Sequence, residues 1–175
     1  MTITYITGGV RSGKSDFAEK LAASRNGSVL YVAFGVETDE EMKSRIQQHK
    51  DRRPDNWDVL EKPEELAGFQ SVYQNYDTIL VDCIGTWVAN LCMKIEENKE
   101  RKVEIVQEVM QWLEEIKCLN QHIIIVSDEV GLGGVALSSL GRLFQDVLGK
   151  INQLVAGEAD EAYAVFSGLS VRLKP

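Results

Sequence analysis

At 175 residues, 44% hydrophobic and 26% charged, the chain carries enough apolar side chain for one core without disulfides or a structural metal, which excludes the disordered and fibrous classes. The 27 acidic residues outnumber the 19 basic ones, for a formal charge of -8, and no basic tract is long enough to neutralise a row of phosphates, so a nucleic-acid partner is not expected. Cys83, Cys92 and Cys118 form no CxxC pair, and His49 and His122 lie far apart, which argues against a disulfide framework or zinc site and for reduced thiols in the cytoplasm.

Met1 to Ile6 runs straight into a strand pattern, with no basic leader, and no window reaches the ~18 apolar residues of a membrane span. Ile3 to Thr7 reads as a β-branched strand ending at Gly8-Gly9, followed by a helix over Lys14 to Ala23 with Phe17, Ala18, Leu21 and Ala22 at helical spacing. Val29 to Phe34 is a second strand. Asp39 to Asp51 reads as a mostly polar helix running into Arg52-Arg53-Pro54, where the proline disfavours its continuation. Trp57 to Leu60 suits a short strand, and Pro63 to Gly68 a short helix opened by proline.

Thr78 to Val81 is an apolar strand closed by Asp82, and Trp87 to Met93 is an apolar stretch. A charged hinge, Glu96 to Lys102, precedes a helix from Val103 to about Cys118 with Ile105, Val106, Val109, Met110, Leu113 and Ile116 on one stripe. Ile123 to Val126 is the most apolar strand. A glycine-rich connection, Gly131 to Gly134, leads to a helix over Leu140 to Val155 and two final strands, Ala162 to Phe166 and Ser170 to Leu173. Ile- and Val-rich strands alternating with amphipathic helices define a single α/β domain with a mainly parallel sheet, and no repeat or linker divides it.

Gly8-Gly9-Val10-Arg11-Ser12-Gly13-Lys14-Ser15 matches GxxxxGK[ST] in full, after a strand and before a helix, as phosphate binding requires. Gly8 and Gly13 allow backbone N–H groups to approach phosphate oxygens at the positive end of a helix. Lys14 is placed for the β- and γ-phosphates and Ser15 for Mg²⁺. The loop alone does not distinguish kinases, NTPases and nucleotide-binding regulators.

Two acidic strand ends, Asp82 and the pair Asp128-Glu129, compete for the second metal-side role, with Asp82 preferred. Glu41, Arg45, His49 and Arg52 fall at i, i+4, i+8 and i+11, along one face of a helix. That face is either solvated or a site in which a neutral His49 attacks phosphorus among cations. His122, opening a core strand, is read as structural.

Further motifs follow in order: Asp39-Glu40-Glu41-Met42-x-x-Arg45-Ile46-x-x-His49-x-x-Arg52-Arg53-Pro54, then Val81-Asp82-Cys83, Trp87, Asn90-Leu91, Glu129-Val130-Gly131, Gly149-x-x-Asn152-Gln153 and Ala159-Asp160-Glu161. With the glycine loop they resemble, over nearly the whole chain, the bifunctional adenosylcobinamide kinase and adenosylcobinamide-phosphate guanylyltransferase family. The resemblance implies a RecA-like P-loop NTPase fold of three layers, a homotrimer, and two reactions. An ATP or GTP phosphorylates adenosylcobinamide, and GTP then gives GMP to a histidine and on to the new phosphate.

Carried onto this chain, the guanylylated histidine is His49, and nucleotide contacts fall on Gly8 through Ser15, Ala33, Phe34, Gly35, Lys50, Asp51, Arg52, Arg53, Glu61 and Asp82. Against the family pattern, Phe34 and Gly85 stand where threonine is common, Asp128 where asparagine is usual, and Gln145 and Lys150 where arginines are frequent. Leu132 to Leu137 lacks a proline usual after the Glu-Val-Gly motif. No separate base for the phosphorylation step is evident in the sequence.

Overall fold

A computed structural model describes residues 1–36, 39–62, 64–94 and 101–174, with the backbone alone described for Glu41, Met42, Arg45, Gln48 and Arg101. Most of the expected charged hinge lies outside these residues, as do the side chains of Glu41 and Arg45.

The elements in chain order are β1 (Thr2–Gly8), α1 (Lys14–Ser24), β2 (Val29–Ala33), α2 (Glu40–Arg52), β3 (Asp58–Glu61), α3 (Gln70–Tyr73), β4 (Thr78–Asp82), α4 (Ile84–Lys94), α5 (Arg101–Lys117), β5 (His122–Asp128), α6 (Ser139–Glu158), β6 (Glu161–Phe166) and β7 (Leu169–Lys174). The strands form one sheet in the order β3-β2-β4-β5-β1-β6-β7. Every pairing is parallel except the closing hairpin of β6 and β7. Among the described residues no helix is long and apolar enough to cross a membrane.

The strand period of two sorts the core into two layers. Ile3 and Tyr5 of β1 and Ile123 and Ile125 of β5 face α4, α5 and α6, joining Trp87, Trp112, Leu148 and Ile151. Ile6, Leu80, Ile124 and Val126 face the other way, against Ala18 and Ala22 of α1. The small alanines let α1 lie close on the sheet, which seats the loop before it. Helices on both faces leave the central strands without a wet side, and this is why they read as continuous apolar runs.

The register aligns the carboxyl ends of the strands. Gly8 lies opposite Asp128, and Ala33 opposite Asp82. Ligands of open parallel sheets bind at that edge, and here it gathers the glycine loop and both acidic strand ends.

The short helix expected over Pro63 to Gly68 is not formed in the described part of that segment. Its backbone N–H groups are taken by α5 instead: Leu66 N donates to Glu108 Oε1 at 3.3 Å and Gly68 N to Glu115 Oε2 at 2.9 Å. Gly68 has φ +89°, outside helical geometry, and the helix starts only at Gln70. Trp57, expected inside a strand, precedes β3 and is buried in the α1 layer.

Leu148 is fully buried in the α6 seat, whereas Val103 on α5 is 57% exposed. Leu148→Ala is therefore expected to cost about 2–5 kcal/mol and Val103→Ala no more than about 0.5 kcal/mol, read from the urea unfolding midpoints of the two variants.

Candidate active site

The loop between β1 and α1 is shaped by residues that tolerate its geometry. Gly13, at φ 91°, caps α1, and Arg11 adopts φ 58°. A Cβ on Gly8 would lie 2.6 Å from the Val165 carbonyl oxygen. Ser12 N donates to Gly9 O at 3.1 Å, and Gly168 N donates to Ser12 O at 2.8 Å, so the loop is braced by the β6–β7 turn. Ser12 Oγ is buried without a hydrogen-bond partner, in the loop that leads into the N-terminus of α1. An orphaned hydroxyl there is what a phosphate oxygen would satisfy. Val10, at the tip, is exposed.

Lys14 lies under the loop. Its Nζ is 2.7 Å from Asp128 Oδ1 and 3.5 Å from Gly9 O. Burial pulls the ammonium's pKa down, but the Asp128 carboxylate, with help from Asp82, outweighs it and holds the pKa above its ordinary value. Asp128, weighed from sequence as a metal-side acid, thus faces the lysine. Its other oxygen, Oδ2, accepts from Cys83 Sγ at 3.6 Å. Burial pushes that thiol up to about 12, with Asp128 and Asp82 adding to the shift, so Cys83 is a neutral donor.

A Cβ on Gly85 would collide with the Asp128 carboxylate. The aspartate thus occupies space that a side chain at position 85 would fill.

On the other side of Lys14, Ser15 Oγ donates to Asp82 Oδ1 at 3.1 Å, and Tyr31 OH donates to Asp82 Oδ2 at 2.6 Å. Burial, then the Asp82 charge, raises the Tyr31 phenol well above its usual range, so it remains a donor. A hydroxyl and a carboxylate side by side are hard oxygen ligands suited to a small divalent cation.

The last turn of α2 packs across α1. Arg52 pairs with Asp16, reaches Glu19 Oε1 at 3.3 Å and donates to His49 Nδ1 at 3.0 Å. Glu19 Oε1 also lies 3.9 Å from His49 Nδ1. Ligand atoms of Glu19, His49 and Asp82 all fall within 4.8 Å of one another. Arg53 stacks 3.6 Å over the Tyr31 ring. Burial lowers the His49 pKa; Asp82 opposes it, and Arg52 and Arg53 reinforce it. The imidazole is consequently neutral at neutral pH, the form with a lone pair to share. Burial raises the Glu19 carboxyl, against the pull of Arg52.

The remaining expected contacts differ in what they offer. Lys50 pairs with Glu61 at 3.0 Å, and Asp51 accepts from Gln47 at 2.6 Å on the exposed side of α2. Ala33 O accepts from Lys62 N, and Gly35 packs against Ile46. Phe34 has its side chain fully buried in the α4–α6 layer and its carbonyl bonded to Asn90 Nδ2 at 2.8 Å, so neither is directed at the phosphate loop. His122 bonds Arg25 at 3.0 Å at the opposite end of β5, in keeping with a structural role.

Glu19, Asp16 and Tyr31 were missed from sequence. Glu19 follows Ser15 by four residues, so both share a face of α1, a signal available once that helix was recognised. Nothing local marks Tyr31, whose partner Asp82 is 51 positions away.

A glycine loop between a parallel strand and a helix, a buried lysine and a serine–aspartate pair define a P-loop nucleotide-binding protein. The fold is shared with an ATPase of the type III secretion system of pathogenic bacteria, at TM-score 0.57 and 9% identity over 98% of this chain and 56% of that one. The family follows from sequence comparison: residues 4–173 match the cobinamide kinase / cobinamide phosphate guanyltransferase model, and the chain belongs to that family. It is 33% identical to the bifunctional adenosylcobalamin biosynthesis protein CobU of Escherichia coli, over 97% of this chain and 98% of that protein. It is 36% identical to CobU of Salmonella typhimurium, with the same coverages. Identity to the bifunctional adenosylcobalamin biosynthesis protein CobP of Pseudomonas aeruginosa is also 36%, over 97% and 95%.

Because the Arg52 cation disfavours the imidazolium of His49, and because it also screens Glu19 and Asp16, Arg52→Ala should raise the His49 pKa toward or above its ordinary 6.5. An imidazole NMR titration of the metal-free protein, with His122→Asn to assign the signals, measures this; an unchanged or lower value would contradict the electrostatics described.

Proposed function

We propose that this chain phosphorylates the alcohol of adenosylcobinamide with ATP or GTP and then transfers GMP from GTP, through His49, to that phosphate, yielding adenosylcobinamide-GDP. The observation that carries this reading is the neutral, half-buried His49, held by Arg52 beside Glu19 within 4.8 Å of Asp82, which is itself bonded to Ser15 of the loop. Family membership supports both reactions.

In the first reaction the alcohol oxygen bonds to the γ-phosphorus, the bridging P–O bond breaks, the nucleoside diphosphate leaves, and the alcohol's proton passes to a phosphate oxygen or to water. Lys14 and the loop N–H groups hold the charge. In the second, an imidazole nitrogen bonds to the α-phosphorus of GTP and pyrophosphate departs. The substrate phosphate then attacks, the P–N bond breaks, and neutral histidine is restored. Arg52 donates to Nδ1 and so occupies the imidazole's lone pair in this structure; attack requires that its N–H pass from the ring to the α-phosphate, which frees Nδ1 and follows the charge. Ser15 and Asp82 would hold Mg²⁺, which neutralises phosphate charge when bound. Lys50, Arg53 and Glu61 border the nucleotide, and the enzyme works in the cytoplasm as a homotrimer.

Incubation with α-labelled GTP and Mg²⁺ should leave one acid-labile GMP per chain. His49→Ala should take up none while still phosphorylating adenosylcobinamide; label retained on that variant would remove His49 from the mechanism.

Lys14→Met should lower both reactions by roughly 10²-fold or more. Single-turnover rates with each nucleotide provide the measurement, and a loss confined to one reaction would mean that the two do not share the loop.

A further inference from the structure

The groups described above lie on the α1 face and the carboxyl edge of the sheet. On the opposite face, under α6, is a cavity of about 1150 Å³ that they leave unused. Tyr5 and Thr7 of β1 line it, as do Glu129 just beyond β5 and Gly149, Asn152 and Gln153 of α6. Thr7 immediately precedes Gly8, and Glu129 immediately follows Asp128, the partner of Lys14. The cavity therefore opens beside the end of the loop that Lys14 serves. Two sequence motifs without a role so far, Glu129-Val130-Gly131 and Gly149-x-x-Asn152-Gln153, contribute to this one cavity.

Its chemistry is unsuited to a second nucleotide. Lys102 is paired with Asp146 at 3.6 Å, and Arg142 is turned onto the carbonyls of Ala136 and Leu137. Among the described residues, Glu129 and Asp146 in the walls offset the two lining cations, and neither cation is turned to the interior. Val130, Val135, Leu140 and Leu143 supply apolar wall. The loop at its rim exposes Leu132 (78%), Val135 (81%) and Leu137 (99%).

The walls are tied in place. Gln145 accepts from Ala136 N at 2.8 Å and donates to the carbonyls of Val130 and Gly134. Asn152 bonds Ser127 Oγ at 2.6 Å and donates to Asp128 O at 2.9 Å. The volume exceeds the ~300–1,000 Å³ of ordinary small-molecule pockets.

From these features we infer that the cavity between α6 and the ends of β1 and β5 binds the acceptor, a bulky corrinoid with apolar faces and an amide rim, and presents its alcohol to the γ-phosphate past Thr7 and Glu129. This inference rests on the phosphorylation reaction proposed above and assigns it an acceptor site. The acceptor thus reaches the loop from the α6 side for phosphorylation, and its new phosphate must then pass along the loop to the α1 side, where His49 carries GMP.

Gly149→Leu tests it, because a Cβ added there meets nothing within 4 Å and leucine favours the helix. With adenosylcobinamide as the probe, the variant should show at least a tenfold rise in KM for phosphorylation and a matching loss of binding by visible absorbance titration. GMP loading of His49 should stay within twofold of the parent. Val135→Glu, on the exposed rim, should raise the same KM several-fold without touching the core. Corrinoid KM within twofold of the parent in both variants overturns the assignment. So does a parallel loss of GMP loading, or a sedimentation change with unaltered KM, which would make this face a contact between copies. A parent chain that neither loads GMP nor phosphorylates adenosylcobinamide overturns the proposed function and the cavity assignment together; a fully active parent with insensitive variants overturns the cavity alone.

Discussion

The carboxyl edge of this molecule is organised by the pairing of β1 with β5, which sets Gly8 against Asp128 and so gives the buried Lys14 ammonium a carboxylate 2.7 Å away. A charge that far out of water is tolerated only with a partner. The partner is in turn oriented by a neutral Cys83 thiol and accommodated by the missing side chain at Gly85. A triphosphate entering the loop offers Lys14 a second anion, and nucleotide binding on this chain is then an exchange of counter-charges around one lysine. An amide at position 128 would still hydrogen-bond but would leave that lysine without its charge partner.

The edge is divided by function. Asp82, bonded to Ser15 and Tyr31, and Glu19, bonded to Arg52, bring α1 and the last turn of α2 together on one face. The His49 imidazole lies at their junction, deprotonated because burial and two arginines outweigh the nearby Asp82. Asp128 and Glu129 turn away from this group: Asp128 faces Lys14, and Glu129 accepts from the N–H groups of Gly131 and Leu132 to hold the start of the next connection.

The strands of the sheet were legible to within a residue or two because each is an apolar run bounded by turn residues, and the loop was legible because its chemistry is contiguous. The segment before α3 was misjudged because proline in the first position is compatible with a helix, and nothing nearby announces that Glu108 and Glu115 on α5 will claim its N–H groups. Phe34 stood among expected nucleotide contacts by its place next to Ala33, yet strand alternation turns its side chain into the core. Asp128 was recognisable as a strand-end acid but not as the counter-ion of Lys14, since that pairing depends on strand order.

The amino-acid sequence by itself determined the α/β class, from strands and helices each encoded in short-range spacing, and the phosphate loop, whose chemistry is contiguous; spacing alone left the face of His49 open between a solvated surface and a site. Only the tertiary structure decided which acid faces the lysine, which faces the serine, that Glu19 and Tyr31 join them, and that a cavity under α6 opens beside the loop. Those outcomes follow from the order β3-β2-β4-β5-β1-β6-β7, which pairs residues 120 positions apart in β1 and β5 and 157 apart in β1 and β6, distances across which no local pattern carries information.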